Sequence, residues 1–444
     1  MDKFKITRRS ALQGGTALAV TGAMAGSGVL KPTDAAAQSM SFKPESGASL
    51  RVLRWSKFVQ GDEDLWIANT KKFTEATGVA VRIENEAWED VRPKAAVAAN
   101  IGSGPDIIVG WFDDPHQYPD KLVPLNDVAD YLGKKYGGWY PVCERYAKRG
   151  DRWIGLPLGV AGACMVYRIS AVKKAGYDKF PQDYKQVLDC AKKLKANGTP
   201  MGMALGNAVG DGNGWLHGIL WGFGGKMVDE NNKVVLNSPE TVAALEYVKE
   251  LYGTFVPGTL AWLDPHNNRA FLAGEIFATN NGISVYYAAK NSKDANIQAM
   301  VADIDHVNMP IGPVGKPTEL HLFTQAMVFS YTKFPNAAKD YLRFMWEREQ
   351  YEPWQQAAIG YITQPLTAYE KNPIWTSDPK HTPYRDVMKN MLWNGYSGAL
   401  GYASAAAMGD YIIINMFAET CSGNVTAKQA AERAARRAER YYRV

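Results

Sequence analysis

The sequence has 444 residues and a formal net charge of +5, with 46 % hydrophobic and 21 % charged residues. Five basic and two acidic residues fall within the first 37, so the other 407 carry only +2, which gives a nucleic-acid partner no electrostatic support. A chain of that size exceeds one compact core and is expected to form two domains.

The chain opens with Lys3, Lys5, Arg8 and Arg9 ahead of a Gly/Ala-rich, mildly apolar stretch from Ala11 to Leu30, the order of a signal peptide. Thr7-Arg8-Arg9-Ser10-Ala11-Leu12 has the twin-arginine pattern read by the Tat export route, with Ala11 where a Phe is usual. Cleavage after Ala35-Ala36-Ala37 leaves a chain beginning near Gln38, where no Cys offers a lipid attachment point. The leader is too weakly apolar for an anchor of roughly 20 apolar residues, and no later run is long enough. These features predict residues 1–37 as a Tat-type signal peptide, 38–49 as a disordered lead-in, and a periplasmic location.

From Leu50 the pattern becomes regular. Leu50–Trp55 alternates as a strand, Asp64–Glu75 has helical spacing closed by Thr77-Gly78, Val79–Ile83 is a second strand, and Trp88–Asn100 a second helix. After the turn Gly102-Ser103-Gly104-Pro105, Asp106–Gly110 reads as a short strand of the buried, parallel-sheet kind. Strand, helix, strand, helix, strand makes a right-handed βαβ series and hence an α/β lobe. Trp153–Val160 is expected to leave this lobe and Cys164–Tyr167 to enter the next. The helix Pro181–Asn197, a loop Gly206–Gly214, the apolar stretch Trp215–Phe223 and the helix Pro239–Leu251 then build a second lobe. A helix around Ala270, a strand Ile276–Thr279 and a charged helix from Ala427 to Tyr442 follow. The four cysteines, Cys143, Cys164, Cys190 and Cys421, form no CxxC; one bridge or buried free thiols both fit the sequence.

The order of segments resembles the family 1 extracellular solute-binding proteins, the maltose-binding type. The resemblance rests on Phe73-x-x-x-Thr77-Gly78-Val79 followed by Gly104-Pro105-Asp106-Ile107-Ile108. Ile154-Gly155-Leu156-Pro157, Leu236-Asn237-Ser238-Pro239-Glu240, Phe271-x-x-Gly274-Glu275, Pro310-Ile311-Gly312-Pro313 and Ala337–Phe344 support it in the same order. It implies a bilobed, type II periplasmic-binding-protein-like fold of two α/β lobes joined by crossover strands near 156–159, 280–282 and 329–332. The lobes would then comprise 50–157 with 281–329, and 158–280 with 330–444. It also implies a monomeric receptor that captures a small carbohydrate or polyol between the lobes and hands it to an ABC-type permease. A sugar acid or another charged solute is the alternative ligand.

In open α/β sheets ligands sit beyond the carboxyl ends of strands. That rule points to Lys57 and Phe58 after the first strand, Trp88 after the second, and Trp111, Asp113 and Asp114 after the third. Aromatic faces and fixed carboxylates or amides are what a hydroxylated ring requires. In the second lobe Asp211, Asn213 and Trp215 on a glycine-rich segment are candidates, as are Asn281 and Ser284 at a crossover; the segment near Gly282 lacks the Trp the family often has a few residues on and offers Ser284, Tyr286 and Tyr287 instead. His321 and Tyr361 complete the ligand-binding set. No HExxH, GxSxG, P-loop or Rossmann motif is present and the six His are scattered, so no catalytic residue, metal or cofactor is assigned. Asp264-Pro265-His266 reads as a turn. The competing enzyme class is a glycoside hydrolase using Asp113, Asp114 and Glu86.

Overall fold

The computed structural model describes residues 40–443; the expected leader lies outside them. Ser49–Trp55 (β1) alternates exposed and buried at its start and is buried throughout from Val52, and the chain turns into helix Gln60–Thr77 (α1). Gly78 ends α1 in the left-handed region at φ 74°, its N–H returning to Thr74 O. Ala80–Glu86 (β2), Trp88–Ile101 (α2) and Ile107–Trp111 (β3) complete the predicted series. β1 pairs in parallel with both β2 and β3.

Leu156–Ala161 (β4) and Cys164–Arg168 (β5) follow, then helix Tyr184–Ala196 (α3), capped by the Asp183 side chain. Asp211–Gly222 (α4) is the next helix, so the expected loop 206–214 is already helical at Asp211. Pro239–Tyr252 (α5) and Asp264–Leu272 (α6) lead to Ala278–Asn281 (β6). Asp264-Pro265-His266, expected as a turn, instead opens α6 with Pro265 in its first turn, where a missing N–H costs nothing. Ile304–Val307 (β7), Leu322–Val328 (β8), helices Pro335–Trp346 (α7) and Arg348–Ala357 (α8), and the short strand Ile362–Thr363 (β9) come next. The chain closes with helices Tyr402–Gly409 (α9), Ile412–Cys421 (α10) and Ala427–Ala438 (α11).

Two sheets organise these elements. The larger has the order β9-β4-β8-β3-β1-β2 and the smaller β6-β5-β7. In the larger sheet β8 runs antiparallel between β3 and β4, so it is mixed rather than wholly parallel. The chain leaves the larger sheet at Gly162-Ala163 and returns between β7 and β8. The crossings expected near 280–282 and 329–332 are not where sheet membership changes. Asn280 and Asn281 stay in the smaller sheet, and β7, in a stretch expected with the first lobe, pairs with β5 there. Residues 335–363, expected with the second lobe, pack α8 on α1 and α7 on β1 and β8, and place β9 on β4. Helices α10 and α11 pack on α4 and α5 beside the smaller sheet. All four cysteines are buried and unpaired. Among the described residues no helix is long and apolar enough to cross a membrane, and no group of three or more His, Cys, Asp or Glu is arranged to hold a metal ion.

Candidate functional site

A cleft lies where the chain passes between the two sheets. It is lined by Ala161 and Ala163 on the first crossing, Leu320, His321 and Leu322 on the second, Gly282 after β6, and side chains brought from both sides. Seven expected residues line it: Phe58, Trp88, Asp211, Asn281, Ser284, His321 and Tyr361.

One wall is aromatic. Phe58 sits on the β1–α1 turn, edge-on to Trp88 with ring centroids 4.6 Å apart and parallel to Tyr361 at 6.5 Å. That turn is fixed from beneath by a buried ion pair, Arg54 to Asp62 at 2.6 Å, whose members are 1 % and 0 % exposed. The guanidinium lies over Trp55 and Trp66 at 4.4 and 4.5 Å, and Trp354 donates its indole N–H to Asp62 Oδ1 at 2.8 Å. Tyr361 follows Gly360, whose φ is 76° and where a Cβ would come within 2.5 Å of the Trp375 ring. Only glycine fits this position, and that places the tyrosine in the cleft.

The opposite wall is polar. Asp264 accepts the backbone N–H of Asp211 at 2.7 Å and of Gly210 at 3.1 Å, serving from another helix as the cap that α4 lacks locally. This explains why a glycine-rich stretch is helical at Asp211. Asn267, fully buried, donates to Asp211 Oδ2 at 2.7 Å and to Asn280 O at 3.0 Å, tying α6, α4 and β6 together. Asn281, Asn268 and Ser284 form a closed ring: Asn281 Nδ2 donates to Asn268 Oδ1, Asn268 Nδ2 to Ser284 Oγ at 2.9 Å, and Ser284 Oγ to Asn281 Oδ1 at 3.2 Å. His321 Nδ1 accepts from Ala163 N at 3.1 Å, so its proton sits on Nε2 and is donated to Glu319 at 2.8 Å. Two segments that pass between the sheets are thereby joined by one imidazole.

Burial pushes the carboxyl of Asp211 well above the usual range, with the charge of Asp264 adding to it and the Asn267 bond opposing it. Asp264 is raised by burial and less far, because backbone N–H groups hold its charged form. Trp88, 7 % exposed, leaves its indole N–H without a partner among the described residues.

Six expected residues do not line this cleft. Lys57 is exposed and pairs with Glu63 at 3.3 Å. Trp111 is a layer deeper, stacked between Trp55 and Trp88 and donating to Trp88 O at 3.2 Å. Asp113 is sealed on Asn394 and Ser404, and Asp114 on Arg92 at 2.6 Å. Glu86 is taken by Lys94, so the carboxylate set considered for glycoside hydrolysis does not converge. Asn213 bonds back to Val209 O, just ahead of α4. Trp215 donates to Ala204 O at 2.8 Å and faces a neighbouring apolar cavity. Sequence reasoning missed Asp264 and Gly210; the signal for the first was Asp-Pro opening a helical pattern.

The sequence profile of the bacterial extracellular solute-binding protein family matches residues 68–383. A "probable ABC transporter-binding protein" of Deinococcus radiodurans is 25 % identical over 57 % of the chain; the match spans 61 % of that relative's length. Among solved structures, a sugar transporter from Arthrobacter chlorophenolicus A6 with bound laminaribiose superposes with a TM-score of 0.76 at 18 % identity, covering 89 % of this chain and 99 % of that one. An ABC transporter solute-binding protein from Agrobacterium radiobacter K84 in complex with ribitol gives 0.74 at 16 % identity, covering 90 % and 100 %. At these identities the likeness to solved structures is one of fold.

Proposed function

Because the chain belongs to the bacterial extracellular solute-binding protein family and has the bilobed, type II periplasmic-binding fold, we propose that it is a non-catalytic receptor for a small sugar or polyol. It captures the solute between two α/β lobes and delivers it to the permease of an ABC importer. The observation that carries this reading is the cleft itself, formed at the chain crossings and walled by aromatic rings on one side and by fixed carboxylate, amide and hydroxyl groups on the other. Rings cover the C–H faces of such a solute, and the polar groups replace the water its hydroxyls lose. Between these walls only about 30 Å³ is open to the centres of water-sized spheres, room for a few waters at most, so a sugar-sized solute enters when they separate. Ligand contacts to both lobes then favour the closed form, which is the form the permease reads. Export by the twin-arginine leader, a periplasmic location and a monomeric state belong to the same reading. So does assignment of the lobes by sheet: β1–β4, β8, α7, α8 and β9 in one, β5–β7 with α3–α6, α10 and α11 in the other.

The test is a thermal-shift screen across monosaccharides, oligosaccharides, polyols and sugar acids. A solute that binds only the native state raises the melting temperature, by about 2.7 kcal/mol of added stability at a hundredfold excess over Kd. Stabilisation by a hydroxylated solute without its chemical conversion is the expected result. Turnover of the bound compound overturns the proposal.

A further inference from the structure

We infer that the solute for which this cleft is built carries a protonated amine on its hydroxylated frame, as an amino sugar or amino polyol does. The inference rests on the solute-binding reading above and narrows its substrate class. The cleft lining holds two carboxylates, Asp211 and Asp264, and no Lys or Arg among the described residues. The nearby cations are already committed, Lys57 to Glu63 and Arg92 to Asp114.

The two carboxylates are not equivalent. Both oxygens of Asp264 lie within reach of backbone N–H groups, so its charge is answered by the start of α4. Asp211 receives one bond, from Asn267 to Oδ2, and its Oδ1 has no hydrogen-bond partner among the described residues. A half-buried carboxylate beside a second one is costly to ionise, since burial and the neighbouring charge both oppose it. The raised carboxyl of Asp211 reflects that cost, which a proton offsets when no other cation is present. A ligand ammonium takes over that role with a charge-assisted bond to Oδ1. The aromatic wall serves the same ligand, because the ring faces of Phe58, Trp88 and Tyr361 attract a cation.

The experiment is isothermal titration calorimetry on the purified protein with matched series near neutral pH: glucosamine, N-acetylglucosamine, glucose and glucuronate, and in parallel glucamine, sorbitol and gluconate. The amine members are expected to bind about ten- to a hundredfold tighter than their neutral counterparts, the range for one hydrogen bond to a charged group. N-acetylation should abolish the gain, and Asp211→Asn should bring the amine and neutral members level. Equal or tighter binding of the neutral or carboxylate members overturns the inference and leaves the receptor reading standing. Silence of both series overturns the inference; the wider thermal-shift screen then decides the receptor reading separately.

Discussion

At Asp113 a carboxyl is closed between the end of β3 and a segment nearly three hundred residues away in sequence. Asn394 donates to its Oδ1 at 2.7 Å, Ser404 donates to its Oδ2, and burial pushes the group up to about 7. The native state therefore holds this proton to higher pH than the unfolded chain, whose aspartates titrate near 4. Its contribution favours folding fully in acid and fades as pH rises from about 4 to about 7. Asp114 is shifted in the same direction by burial, against the pull of Arg92. Asp113→Asn removes one such titration, so the fall in melting temperature between about pH 5 and about pH 8 should be shallower than in the parent. An identical slope would place the pH dependence elsewhere. Asp113→Ala removes the shortest-range acceptor of two buried donors, leaving them only Gly401 O and Ser404 O, and should cost about 1–3 kcal/mol in urea unfolding. The strand-end rule led sequence reasoning to place both aspartates at the ligand. The rule fixes which end of a sheet matters but not how the chain turns there: Phe112 takes φ 43°, and Asp114 starts a 3-10 turn that folds both carboxylates inward. Phe58 and Trp88 follow the same rule into the cleft because their turn and helix open toward it.

Elements with a clear apolar pattern or clear bounds were legible, β3 included although it is buried throughout; a helix buried on nearly every side was not. β1 and α1 to β3 follow their apolar patterns to within a few residues, as do α3 and α5. α10, by contrast, reads IIINMFAETC and is buried on nearly every side, so no periodicity marks its length. The first turn of α4 was hidden for another reason: its cap comes from Asp264, over fifty residues downstream, which no local pattern reveals. α11 joins α10 and α5 through small residues, with Ala427, Ala430, Ala431, Ala434, Ala435 and Ala438 all buried. Such a seam has no room for added methylenes. Ala431→Leu should destabilise the protein by about 1–3 kcal/mol in urea unfolding. Arg433→Ala on the exposed side of the same helix should change it by no more than about 0.5 kcal/mol. Equal effects would mean the seam is not tightly packed.

For the whole molecule the expected design of two α/β bodies joined by crossing strands was legible, while the crossing points were not, because β6 and β8 near them are buried along their whole length, polar residues included, and give no sign of which sheet they join. The crossings decide how the molecule moves. His321 bonds to the backbone of one crossing while sitting on the other, so bending is expected to leave that joint intact and to occur beside it. Small-angle scattering with and without a stabilising solute should show a smaller radius of gyration in its presence. An unchanged radius at saturation would count against capture by closure.

The position of β8 has a consequence for biogenesis. It fills the middle of the larger sheet, between β3 and β4, yet it is the eighth in chain order of the nine strands that make up these two sheets. A ribosome must therefore deliver about three quarters of the polypeptide before the first body can close, and until then β3 and β4 expose bare edges. Loop closure over such separations is slow, so those edges are the place where a nascent chain is most open to wrong pairing.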